Sequence, residues 1–249
     1  MSSVNKKTLL NELKYSIPLI PNQLSLWVMN SSDRLIVSFI LGTAANGILA
    51  VSHKFPAIFM TFFNIFQLAW HETGTVHFFD KDRDDFFSKT IEEIMLLFST
   101  LCMCIIIVLP IVFNLFVNSS YNEAYYNIPI YLIASLLNVM VGLLGVVYVA
   151  TKKTFEIAKT TIIAALINII VNIILIKYIG LYAASISTFM GYFITMIYRI
   201  IDTKKYLNIK YSLYKYVKII VGILFSTIIY YINNKLISII TLPFFICIA

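Results

Sequence analysis

Three charged side chains stand where a very apolar chain has little reason to place them. Asp33 and Arg34 sit in the middle of "LSLWVMNSSDRLIVSFILG" (24–42), and Lys54 follows in "NGILAVSHKFP" (46–56). Neighbours on a helix point about 100° apart, so Asp33 and Arg34 do not simply neutralise one another within one helix. Arg34 continues a polar and aromatic face made by Gln23, Trp27 and Asn30, at spacings i, i+4, i+7 and i+11. Charges of this kind either hold a structural ion pair or meet an ionic ligand. One acid and two bases leave a net positive site, which suits an anion such as a phosphate. The competing reading is an Asp33–Lys54 pair with Arg34 snorkelling to the surface. Asn64 and Gln67, followed by Trp70, add amides that suit the lining of a path.

The elements that must position these groups follow from composition. The chain has 249 residues, 60% hydrophobic and only 12% charged, with a mean hydropathy of +0.87. A soluble domain is about half apolar and a quarter charged, so this much apolar surface points to lipid as the solvent. A helix needs about 20 mostly apolar residues to cross the hydrocarbon core. Eight segments qualify as candidates: 13–40, 46–70, 90–117, 124–150, 155–178, 181–201, 216–232 and 236–249, the last cut short. They are far longer than the roughly 10-residue alternating strands of a membrane barrel. The expected fold is an all-α polytopic bundle of about seven complete spans plus one truncated. Six of the candidates fall within residues 1–202 and two within 203–249.

Depth along these spans groups the charges. Arg34 lies about 9 Å before the end of the first span, and Lys54 about 12 Å into the second, at 1.5 Å per residue. A tight turn around Gly42 joins the two spans. Asp33, Arg34 and Lys54 are therefore expected at one level.

The connections sort by charge. With the N-terminus cytoplasmic, 15 of the 19 basic residues fall on that side, Arg199 among them. Lys177 and Lys235 fall on the other, and Arg34 and Lys54 lie inside spans. The positive-inside rule accounts for this asymmetry, and the net charge of +7 needs no nucleic acid to explain it. Cys102, Cys104 and Cys247 lie in apolar segments without metal-ligand spacing. No phosphate-cradling Gly loop and no catalytic constellation is present, so neither an enzyme nor a cofactor is expected. The acidic turn "HFFDKDRDDFF" (77–87) reads as solvated. Two stripes of small and amide residues, Ser135/Asn138/Gly142/Gly145 and Thr161/Ala165/Asn168/Asn172, read first as helix-packing faces.

The stretch "SIPLIPNQLSLWVMNSSDRLIVSFILGTAANGILAVSHKFPAIF" (16–59) resembles the start of the second half of bacterial Wzx-type oligosaccharide flippases. These belong to the multidrug/oligosaccharidyl-lipid/polysaccharide exporter superfamily. The shared pattern is Pro18 and Pro21, Trp27, the Asp33–Arg34 pair, Gly42, residues 46–56 and "IFQLAW" ending at Trp70. "YNEAYYNIPI" (121–130) and "IGLYAASIST" (179–188) are similar to later loop signatures. The resemblance implies a bacterial cytoplasmic-membrane protein that moves an undecaprenyl-pyrophosphate-linked oligosaccharide between leaflets. Cationic residues would meet the pyrophosphate, and amides and aromatics the sugars. Family members have two six-helix halves, and this chain matches the second half and the extra helices alone. The resemblance thus implies half a cavity. The chain is then a fragment, the product of a split gene, or a half that works with a missing N-terminal half or a second copy. The rival readings are a drug or cation antiporter of the same superfamily, and a non-transporting scaffold or remnant.

Overall fold

The computed structural model describes residues 16–233 without a break, together with 9, 10, 13, 240, 241 and 243; the side chains of Asn30 and Asn114 are excepted. The expected span 236–249 falls almost wholly outside the described residues, as do Lys6, Lys7, Lys14, Lys235 and Cys247.

Within them the protein is all helical: α1 (Leu19–Leu41), α2 (Thr43–Ser52), α3 (Lys54–His77), α4 (Arg83–Phe116), a 3₁₀ turn (Ser119–Tyr121), α5 (Glu123–Ala150), α6 (Thr154–Ile179), α7 (Tyr182–Thr203) and α8 (Leu213–Ile232). Six of these are long and apolar enough to cross a membrane, or seven if the bent pair α2–α3 is one span. The segment read as one span over 46–70 is two helices meeting at 42°, the bend that a proline inside a span implies. Pro56 is the cause. Its ring lacks the N–H that would reach the Ser52 carbonyl and clashes with that carbonyl, so the ladder breaks between them. The Ser52 hydroxyl instead donates to the Ile48 carbonyl, and also lies 3.3 Å from the Ala124 carbonyl of α5. The other unusual corner is Gly42, whose φ of 92° suits glycine alone and lets α1 turn directly into α2.

Consecutive long helices are joined by short connections and so alternate in direction. One end of the bundle therefore gathers the start of α1, the ends of α3, α5 and α7, the mixed-charge turn that carries Lys81 and Arg83, and the basic turns Lys152–Lys153 and Lys204–Lys205. It is called the basic end below. α5 is the most deeply buried helix and is apolar on nearly every side, as a central helix must be. α3, α4 and α7 pack on it, α1 packs on α6, and α8 packs on α4. The main core runs between α3, α4, α5 and α8 through Phe59, Phe63, Phe98, Met103, Ile128 and Tyr230. Phe98 is the aromatic hinge of that core, with the rings of Phe59, Phe63 and Phe66 edge-on to it at 5.3–6.0 Å.

α8 is held at both ends. At the basic end Lys215 reaches Glu92 and Glu93 of α4 at 2.8 and 3.0 Å. At the far end Tyr230 stacks on Tyr125 at 4.2 Å, and each hydroxyl donates to the other's backbone carbonyl. Those carbonyl bonds are reciprocal, so Tyr230 contributes both packing and polar satisfaction. Tyr230→Phe should lower stability by about 1 kcal/mol and Tyr230→Ala by about 3–5 kcal/mol. Thermal unfolding in detergent micelles measures both; equal effects would show that the ring does not pack as described.

Candidate functional site

The charged residues of α1 diverge. Asp33 is 1% exposed and turns inward between α6 and α7. It accepts hydrogen bonds from Asn172 Nδ2 (2.7 Å) and Thr188 Oγ1 (2.8 Å), with Ser187 Oγ at 3.5 Å. A second layer closes the cage. Ser32 donates to Asn168 Oδ1, and Asn168 Nδ2 lies 3.2 and 3.1 Å from the hydroxyls of Ser187 and Thr188. The competing Asp33–Lys54 pair is not among the ion pairs of the described residues: Asp33 is enclosed by donors of α6 and α7 while Lys54 is exposed, and the 100° step along the helix sends Arg34 away from Asp33. Arg34 and Lys54 are exposed, and neither takes part in an ion pair among the described residues. Arg34 is within electrostatic reach of His53 and Tyr131, whose rings pack at 4.2 Å. Asp33, Arg34 and Lys54 thus share a region without forming one pocket.

A sizeable cavity lies elsewhere, in the half of the bundle nearer the basic end. It is an open cleft of about 640 Å³ between α1, α3, α5, α6 and α7. Three of the residues singled out from sequence line it: Gln23, Asn64 and Gln67. They are joined there by Asn22, Asn138, Thr161, His71 and Arg199. Trp27 is 63% exposed and lines a separate shallow groove with Ser31, Leu35 and Ile173. Asn30 has no described side chain, so the face Gln23–Trp27–Asn30–Arg34 is only partly testable. Of that face Gln23 alone is described as lining the cleft.

The cleft exists because α5 has no side chains along part of its face. A Cβ on Gly142 would lie 2.8 Å from the Phe63 ring and 2.9 Å from Gln67 Nε2, and one on Gly145 would lie 3.0 Å from Arg199 Nη1. The small-residue stripe therefore gives room to a ring and two polar groups. The other stripe packs at Asn168 and Asn172, which bond across to α1 and α7, while its first member, Thr161, lines the cleft.

Arg199, expected among the basic residues of the cytoplasmic connections, lies within α7 and is 4% exposed. Removing it from the loop tally leaves the charge asymmetry intact. Its Nη1 donates to the Val141 carbonyl at 2.7 Å, and Nη2 and Nε approach Thr160 Oγ1 at 2.9 and 3.3 Å. Its guanidinium carbon stands 5.7 Å from the Tyr148 ring centre. A signal for it was present in the sequence. Ser187, Gly191, Thr195 and Arg199 recur every fourth residue and all four are buried, a small and polar stripe that ends in a cation. Asp202, one turn further on, accepts from Tyr148 and pairs with Lys205. The hydrogen bond to Asp202 holds the Lys205 ammonium above its ordinary pKa.

Among the described residues no group of three or more His, Cys, Asp or Glu side chains gathers as a metal site. Chemically, the cleft offers hydrogen-bonding amides, apolar walls and one buried cation. No family model, curated protein or solved structure matches the chain.

The two charges of α1 should respond differently to removal. Asp33→Ala strands Asn172 and Thr188 and should cost about 1–3 kcal/mol for each group left unpaired. Arg34→Ala, at an exposed position, should stay within about 0.5 kcal/mol. Thermal midpoints of the purified protein decide this; an Arg34 effect as large as that of Asp33 contradicts the assignment.

Proposed function

We propose that the protein is one half of a carrier that moves a lipid-linked oligosaccharide across the bacterial cytoplasmic membrane. On this reading α1, the bent pair α2–α3 and α4–α8 are seven spans, with the N-terminus and the basic end in the cytoplasm. The observation that carries the reading is the cleft: amides on three helices and a single buried cation, in an otherwise apolar bundle, open on the half nearer the basic turns. Amides at Asn22, Gln23, Asn64, Gln67 and Asn138 suit sugar hydroxyls, apolar walls suit a polyprenyl chain, and a cation suits the diphosphate between them. The resemblance of residues 16–59 to the Wzx-type flippases supports the same substrate class. Useful transport needs the site to differ in affinity between its inward and outward states. A second half, or a second copy, would complete the cavity wall.

A cation antiporter fits the cleft less well. Such a carrier wants an acid facing the substrate, and here the deep acid, Asp33, is enclosed by neutral donors while the cleft's buried charge is positive.

Deleting the gene should reduce surface polysaccharide and leave lipid-linked oligosaccharide accumulating on the cytoplasmic leaflet. Normal surface polysaccharide after deletion, with loss of fluorescent-cation export, would instead identify the antiporter. Orientation has its own check. Ser119→Cys should react with an impermeant maleimide from outside intact cells, and Lys152→Cys only after the membrane is opened. The reverse pattern overturns the orientation.

A further inference from the structure

Arg199 is a desolvated cation without a counter-anion of its own. No carboxylate oxygen among the described residues is paired with it, and the nearest acid along α7, Asp202, is engaged by Tyr148 and Lys205. Its protein partners are neutral: one carbonyl, one hydroxyl and one aromatic ring. A guanidinium has five N–H donors. Three are directed at Val141 and Thr160, which leaves one on each Nη.

Two further observations place unused polar capacity in the same cleft. The bare backbone at Gly145 and Gly142 clears a floor one helical turn long, over which Arg199 Nη1 and Gln67 Nε2 both lie. Asn22 is 8% exposed, lines the cleft, and its Oδ1 has no partner. That oxygen accepts, so it calls for a donor such as a sugar hydroxyl or water rather than for the anion itself. A guanidinium and amide donors meeting over a glycine floor match the oxygens of a phosphate, to which arginine binds in a forked, bidentate manner.

We propose that Arg199 is the anion-binding group of the cleft and that it takes a phosphate oxyanion. On the carrier reading above, on which this identification of the ligand rests, the oxyanion belongs to the diphosphate joining lipid to sugar. Arg34 and Lys54, in a different region and exposed, are then not its principal anchors.

The test uses the protein in lipid nanodiscs and three probes: a polyprenyl diphosphate, the matching uncharged polyprenol, and inorganic pyrophosphate. Native mass spectrometry or thermophoresis reads the affinities. The diphosphate lipid should bind about tenfold or more tightly than the polyprenol. Arg199→Gln should abolish that ratio while leaving polyprenol binding unchanged, and Arg199→Lys should restore part of it. A merely structural arginine would weaken both lipids alike. Should Arg199→Gln fail to fold, Gly145→Ala crowds Nη1 while keeping the charge, and should lower the ratio several-fold. An unchanged ratio in the folded variant, Arg199→Gln or Gly145→Ala, overturns the assignment while leaving the carrier reading standing. Inorganic pyrophosphate that binds Arg199-dependently while neither lipid binds overturns the carrier reading but retains the anion site. Binding of none of the three probes overturns both.

Discussion

Inside an apolar bundle a hydroxyl can turn back to a carbonyl of its own helix, but a carboxylate or a guanidinium needs partners on other helices. In this protein that requirement is met at two levels of one helix. Near its start α7 presents Ser187 and Thr188 to Asp33, and near its end it presents Arg199 to Val141 and Thr160. The two levels are about 17 Å apart at the helical rise. The first ties α7 and α6 to α1, and the second ties α7 to α5 and α6. The cleft lies alongside, its walls supplied by the helices these contacts align. Apolar packing between similar helices sets no unique register, whereas these bonds do.

The placement of glycine follows from the same requirement. Gly191 brings α7 onto α6 so closely that a Cβ would lie 3.1 Å from the Ala164 carbonyl. Gly142 and Gly145 do the opposite service, holding space open for Phe63, Gln67 and Arg199. Small residues in a membrane-type bundle are usually read as points of close helix approach. On α5 the room is taken by side chains from α3 and α7 instead, which turns a packing stripe into the wall of a cleft.

Much of the fold was legible because hydrophobic length is a global property that tertiary context cannot disguise. The long spans follow from it directly. Where expectation and structure part, a local rule intervened. α4 begins at Arg83 rather than at residue 90 because Asp84 and Asp85 suit a helix N-terminus that projects beyond the apolar stretch, whereas the bend at Pro56 follows from the proline itself. For the site, the amides Gln23, Asn64 and Gln67 were legible as polar residues on apolar faces. The grouping of Arg34 with Lys54 was a statement about depth along the chain, and depth says nothing about azimuth. Arg199 was hidden by its place near a span's end, where a base usually belongs to the loop. Only its alignment with Ser187, Gly191 and Thr195 marks it as an interior residue.

Location decides what a cation can do. Two unit charges about 4 Å apart gain about 1 kcal/mol in bulk water but about 4 kcal/mol at an effective dielectric near 20. Arg34 and Lys54, exposed on the flank, are not desolvated by the protein and stand nearer the first limit. Arg199 falls toward the second. It is already desolvated and already oriented by Val141 and Thr160, so an anion arriving beside it meets a donor that need not shed water or change rotamer. The bonds that satisfy this arginine are the same ones that aim it. Its partners are neutral, and on the role proposed for it that matters: a carboxylate partner within the protein would satisfy the charge and leave little for an anion to gain.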